Sequence, residues 1–194
     1  MTGQIDSPKK KFIDTALRLF AERGFYGASL ADVADELDLT KQSILYHFKT
    51  KEALYRAVLS DVSRRFDALL DEVTGLDQGA EKRLRFFLQR LLEHAQHAHH
   101  DVRHVARELL DDVARIETGG ASHLKPLLEK SVELLTDLPK WRYRSEAERT
   151  AAACQLIGAV SYFAISQPTL KALWGQSKLE DTKDAFLSTL LLRL

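Results

Sequence analysis

The sequence predicts an all-α protein, on three observations. Proline and glycine are scarce, 4 and 9 in 194 residues. Leucine is used heavily. No run of β-branched residues alternates with polar ones as a half-buried strand would. The length suits one large domain or two small ones sharing a core, and buries about two-thirds of the unfolded surface without a staple. Hydrophobic residues at 45% and charged residues at 29% are ordinary globular composition. A single Cys excludes a disulfide framework and any Cys-based zinc motif. No stretch approaches the roughly 18 apolar residues of a membrane span. The opening MTGQIDSPKKKF has no apolar run behind its lysines, which reads as a cytoplasmic chain rather than a secreted one.

A first helix is expected over about Lys9–Arg23, because Ile13, Ala16, Leu17 and Phe20 fall on one face. Gly24 is expected to stop it, since glycine takes the left-handed conformation without steric cost. Ser29 and Asp32 form a capping box that opens a second helix, with Leu30, Val33, Ala34 and Leu37 inward. After Asp38-Leu39, Thr40 is an N-cap for a short third helix to Phe48. Thr50 caps a fourth, whose stripe is Leu54, Val58, Val62, Phe66, Leu69 and Val73. Gly75 and Gly79 bracket a break, after which the helices lengthen. Leu84, Leu88, Leu91, Ala95, Ala98, Val102, Val105 and Leu109 trace one stripe, bent or broken near His99–Asp101. Gly119-Gly120 ends that region, and a shorter helix spans about Pro126–Leu138. Ser145 and Glu148 cap a helix to about Ser166 that Pro168 punctuates, and Ser177 with Glu180 would cap the last. About nine helices result.

The second and third helices, joined by three or four residues, form a helix-turn-helix. Leu39, Ile44, Leu45 and Phe48 supply its shared core, leaving Lys41, Gln42, Ser43, Tyr46 and His47 on the outer face of the third helix. Thr40–Lys51 carries three lysines and no acid. Thr40 and Ser43 place hydroxyls at a helix N-terminus, where backbone N–H groups and the dipole favour a phosphate. The Tyr46 phenol suits a phosphate oxygen, and the Gln42 amide suits adenine. Lys51 opens the fourth helix beside its N–H groups, in a position to clamp a phosphate. Lys9-Lys10-Lys11 would add a contact from a flexible N-terminus. The formal charge of the chain is zero, with 28 bases against 28 acids. Residues 9–56 carry nine bases and seven acids, so the cationic character is local to the third helix.

The stretch AERGFYGASLADVADELDLTKQSILYHFKTKEAL, and residues 9–54 as a whole, resemble the DNA-binding domain of the TetR family of transcriptional regulators. The resemblance implies an all-α homodimeric repressor with a ligand-responsive C-terminal domain, dividing the chain into 1–54 and 55–194. It implies double-stranded operator DNA as partner, a small-molecule effector, and no cofactor. Carried over by position, Thr40, Lys41, Tyr46, His47 and Lys51 match family residues that contact DNA. Ser29, Gln42 and Ser43 join them as candidates on their chemistry. Asp38 and Gln42 stand where the family commonly has glycine. Asp tolerates the left-handed conformation a turn requires.

The second conspicuous feature is histidine, with five of the seven between His94 and His104. On a continuous helix, His94, His97, Asp101, His104 and Glu108 would share a face at metal-ligand spacing. His97, Asp101 and His104 are the metal candidates of an alternative reading as a metal-dependent helical protein or enzyme. A solvated helix face is the plainer reading. No nucleophile elbow, Gly-rich phosphate loop or HExxH accompanies the histidines. A third reading is a protein-interaction module. Phe87, Leu91, His104, Glu108, Trp141 and Tyr162 are candidates to line an effector pocket in the bundle. Cys154, within a small-residue run, is expected to be buried. The two C-terminal helices are apolar on more than one face, which predicts a homodimer through them.

Overall fold

The computed structural model describes residues 7–110 and 125–191, the side chains of 108–110 excepted. Nine helices are found among the described residues. They are α1 (Pro8–Gly27), α2 (Leu30–Asp35), α3 (Lys41–Phe48), α4 (Lys51–Thr74), α5 (Ala80–His97), α6 (His99–Leu110), α7 (Lys125–Thr136), α8 (Glu146–Trp174) and α9 (Gln176–Leu191). The all-α class holds. The Gly119-Gly120 stop lies outside the described residues. Two compact units divide the chain: described residues 7–65 with 103–110, and 66–102 with 125–191.

In the first unit Phe12, Ala16, Leu19, Phe20, Val33, Ile44, Leu54 and Val58 are each at most 1% exposed. Each of the larger of these side chains contributes about 1.5–3 kcal/mol on burial. The Ser7 hydroxyl caps α1, accepting from the Lys10 amide at 3.2 Å. The three lysines therefore lie in the first turn of a helix and not in a flexible arm. Lys10 pairs with Asp14 and reaches the Asp61 carboxylate of α4 at 3.3 Å. Gly24 takes a positive φ of 75°, as expected, but its ψ of 173° kinks the chain instead of ending the helix, which resumes to Gly27.

In the second unit α5 packs against α7, α8 and α9, and α8 also packs against α7 and α9. Leu84, Phe87, Leu88, Leu134, Leu135, Ala153 and Val160 form the centre of its core. The predicted break in the histidine region falls at Ala98 (φ −117°, ψ 53°). The Ser145–Glu148 capping box is present. Three expectations are corrected here. Pro168 lies inside α8, which continues to Trp174 and ends at Gly175 with φ 83°. A proline removes one helical hydrogen bond, and the Ser166 hydroxyl, bonding the Phe163 carbonyl at 3.2 Å, adds a local one. Ser177 caps nothing, because α9 starts directly after Gly175 and the Glu180 carboxylate is taken by Gln176 and Lys183. Cys154 is exposed, since α8 turns Ala152, Ala153 and Leu156 inward instead.

Candidate nucleic-acid interface

The helix-turn-helix is assembled from local signals. The Ser29 hydroxyl accepts from the Asp32 amide at 3.1 Å, and the Asp32 carboxylate accepts from the Ser29 amide at 2.7 Å. The hydrogen bond from the Ser29 hydroxyl, then that from its amide, holds the Asp32 carboxyl below the usual range. Asp38 turns the chain with φ 55°, the left-handed conformation expected where glycine is common. The Leu39 amide then bonds back to the Ala34 carbonyl at 3.0 Å. Lys49 has φ 57° and ψ −42°, and the Thr50 amide reaches the Phe48 carbonyl at 2.5 Å. That is a γ-turn, a strained connection, and it turns the chain from α3 into α4 within two residues. The Thr50 hydroxyl then caps α4, accepting from the Ala53 amide at 3.1 Å.

Between these two turns α3 buries Ile44 and Phe48 and leaves Lys41, Gln42, Tyr46 and His47 exposed, with Ser43 half-buried. Tyr46 is 83% exposed. Thr40 occupies the N-cap position but makes no side-chain cap. Its hydroxyl lies 3.2 Å from that of Ser43, so both are presented together at the helix start. His47 is exposed, with its ring 5.5 Å from Phe12 and 5.2 Å from Tyr46. The Lys51 ammonium stands 4.3 Å over the Phe25 ring, which fixes its direction at the start of α4. Lys9 stands 5.7 Å over Phe48.

Two features escape sequence reasoning. Leu39 is 44% exposed and not part of the shared core, because the left-handed Asp38 turns its side chain outward. Phe25 supports Lys51, a pairing across 26 residues that no local spacing signals.

The other candidates are dispersed. The break at Ala98 removes the continuous face on which His94–Glu108 would have aligned. His94 bonds Asp101 at 2.9 Å, while His97 bonds the Glu93 carbonyl at 2.7 Å. His104 packs in the first unit, its ring 5.2 Å from Tyr55. Among the described residues no group of three or more His, Cys, Asp or Glu is placed to hold a metal ion. Of the pocket candidates, Phe87 and Leu91 are closed into the core and Tyr162 is 75% exposed. The Glu108 side chain lies outside the described residues. Trp141 lines an open groove of about 350 Å³ with Arg144, Glu148 and Gln155. The described residues therefore do not gather the six into one cavity.

A family model, that of the bacterial regulatory proteins of the tetR family, matches residues 12–58. Residues 12–58 are thus a domain of the tetR-family type. The biofilm operon icaADBC HTH-type negative transcriptional regulator IcaR of Staphylococcus epidermidis is 42% identical over 48 residues, 25% of this chain and 26% of that protein. The match thus spans about a quarter of the relative. Beyond it the likeness is one of fold. A TetR-like transcriptional regulator from Rhodococcus sp. RHA1 superposes with a TM-score of 0.74 at 20% identity, over 97% of this chain and 95% of that one. The regulator FadR from Bacillus subtilis, in complex with stearoyl-CoA, gives 0.71 at 15% identity, over 93% and 96%. No described helix is long and apolar enough to cross a membrane.

Proposed function

We propose that this chain is a ligand-responsive transcriptional repressor that binds a near-palindromic operator as a homodimer. The carrying observation is the outer face of α3. Lys41, Gln42 and Tyr46 are fully presented there, Thr40 and Ser43 pair their hydroxyls at its start, and Lys51 is held beside it. In this reading Thr40, Ser43, Tyr46 and Lys51 take phosphates, Gln42 and Lys41 read base edges, and Ser29 and His47 line the same face. Residues 1–54 read DNA, and 55–194 bind effector and dimerise. The negative regulation named for IcaR supports repression over activation.

The dimer forms through α8 and α9. Tyr162, Ile165, Leu173 and Trp174 are 40–75% exposed on α8, more apolar surface than a solvated helix keeps. A C₂ pair presents two recognition helices to one DNA face, which is why the operator is near-palindromic. The effector acts by population shift, favouring an arrangement of α4 in the pair that spaces the recognition helices unsuitably. The stearoyl-CoA held by the FadR of similar fold supports trying long-chain acyl-CoA thioesters first. The protein works in the cytoplasm, where its DNA is.

Fluorescence anisotropy with duplex from the chain's own upstream region is the test. Specific binding at low salt is expected. Lys51→Ala should lower the salt-dependence slope by about one phosphate, and Tyr46→Phe should weaken binding. Binding no tighter than to random duplex overturns the reading.

A further inference from the structure

We propose that Arg107 is a positioning residue for DNA recognition, gripping the end of α1 so that α2, α3 and Lys51 are held in the pose that reads the operator. The inference rests on the DNA-binding function proposed above and assigns a residue outside the helix-turn-helix to it.

Arg107 lies on α6, more than eighty residues along the chain from α1. Its Nε donates to the Ala21 carbonyl at 2.8 Å and its Nη2 to the Glu22 carbonyl at 2.7 Å. These carbonyls belong to the last turn before the Gly24 kink, where the unsatisfied acceptors and the partial negative charge of a helix gather. A guanidinium meets both needs at once, with two donors in a fixed fork and a permanent charge. Gly24 lies beside the grip. Its φ of +75° disfavours other residues, and a Cβ there would stand 3.4 Å from Arg107 Nη1.

What Arg107 fixes is connected to the reading face. From α1, Arg18 pairs with Glu36 at 2.5 Å, and Arg23 approaches Asp32 of the α2 capping box at 3.6 Å. Phe25, one residue past Gly24, lies 4.8 Å from the Tyr55 ring and carries the Lys51 ammonium over its face. One turn before Arg107, the 1% exposed His104 packs 6.4 Å from Phe20 and 5.2 Å from Tyr55. Thus α6 holds α1 by its backbone and supports the aromatic cluster beneath Lys51. It begins at His99 among residues of the second unit and enters the first at Arg103, so Arg107 and both of its acceptors belong to the first unit.

Arg107→Met, Arg107→Lys and Gly24→Ala in the full chain test this, by anisotropy on upstream-region duplex and by amide hydrogen exchange without DNA. Arg107→Met should weaken specific binding about tenfold, within the usual range of coupling between sites. Its salt slope should stay unchanged, because Arg107 touches no phosphate. Exchange should rise locally across residues 21–30. Arg107→Lys, with one compact ammonium in place of a fork, should restore only part of the affinity, and Gly24→Ala should resemble Arg107→Met.

Wild-type affinity in Arg107→Met overturns the proposal. So does a salt slope lowered by about one, which would make Arg107 a phosphate contact. Exchange raised throughout the chain would make it a general stability residue, and overturns it too. If Arg107→Met fails to fold, Arg107→Lys and Gly24→Ala carry the same comparison. If wild-type protein binds no duplex specifically, the DNA-binding reading fails by itself. Local exchange across 21–30 then still decides whether Arg107 positions this segment, and unchanged exchange there overturns the grip.

Discussion

Asp61 shows how much of the first unit depends on one carboxylate. It is 5% exposed on α4 and faces Lys10, Arg64 and Arg65. Burial pushes its carboxyl up, but the Arg65 hydrogen bond and charge, together with Lys10, hold it below the usual range. A depressed folded value means that the contribution is complete above the unfolded value near 4 and is lost as pH falls through the folded one. Asp61→Asn should therefore lower stability by about 2 kcal/mol at pH 7 and by much less near pH 2, as urea denaturation at the two pH values will read. Because Lys10 is committed to this pair, Lys10→Ala should leave the salt slope of DNA binding unchanged. The lysine run reads from sequence as an arm, although the Ser7 cap and the Lys10–Asp14 spacing are local helix signals; only the Asp61 partner, 51 residues away, leaves no trace in local spacing. Asp38 was legible for the opposite reason. Its left-handed conformation is a property of the turn itself, and the residue type tolerates it.

At the scale of the element, the starts of α2 and α4 were legible because side-chain caps set them. Ser29→Ala should cost about 1 kcal/mol, and Asp38→Val about 1–2 kcal/mol, since a β-branched residue resists positive φ; Asp38→Gly should do neither harm. Thermal midpoints of the three variants check both effects. Where packing outvotes local signals the sequence misled. Gly24 kinks α1 and does not end it, and Pro168 sits within α8, which runs on to Trp174. Thr40 has the right backbone for an N-cap, yet its hydroxyl turns to Ser43, a choice that spacing does not encode. The histidine stripe failed as one face because Ala98 divides it between two helices.

At the scale of the whole molecule, the apolar excess of α8 and α9 was visible as composition, but its surface was not. Exposed Tyr162 and Ile165 with an exposed Cys154 mark the uncovered side. If the proposed dimer forms through α8 and α9, Tyr162→Glu should turn the protein monomeric in sedimentation velocity and weaken operator binding together, since each half-site would then be bound alone. The neutral total charge is likewise uninformative until divided. The cations that matter are few and fixed, so salt should tune binding through a small number of phosphates. The two positive-φ residues, Asp38 and Lys49, have a further consequence. They punctuate the chain on either side of α3, and only Ile44 and Phe48 tie that helix fully into the core. The eight residues of α3 are therefore an interchangeable cassette. On the proposed function, descendants of this chain would acquire new target sequences by altering positions 41, 42, 43, 46 and 47 while the scaffold that presents them stays as it is.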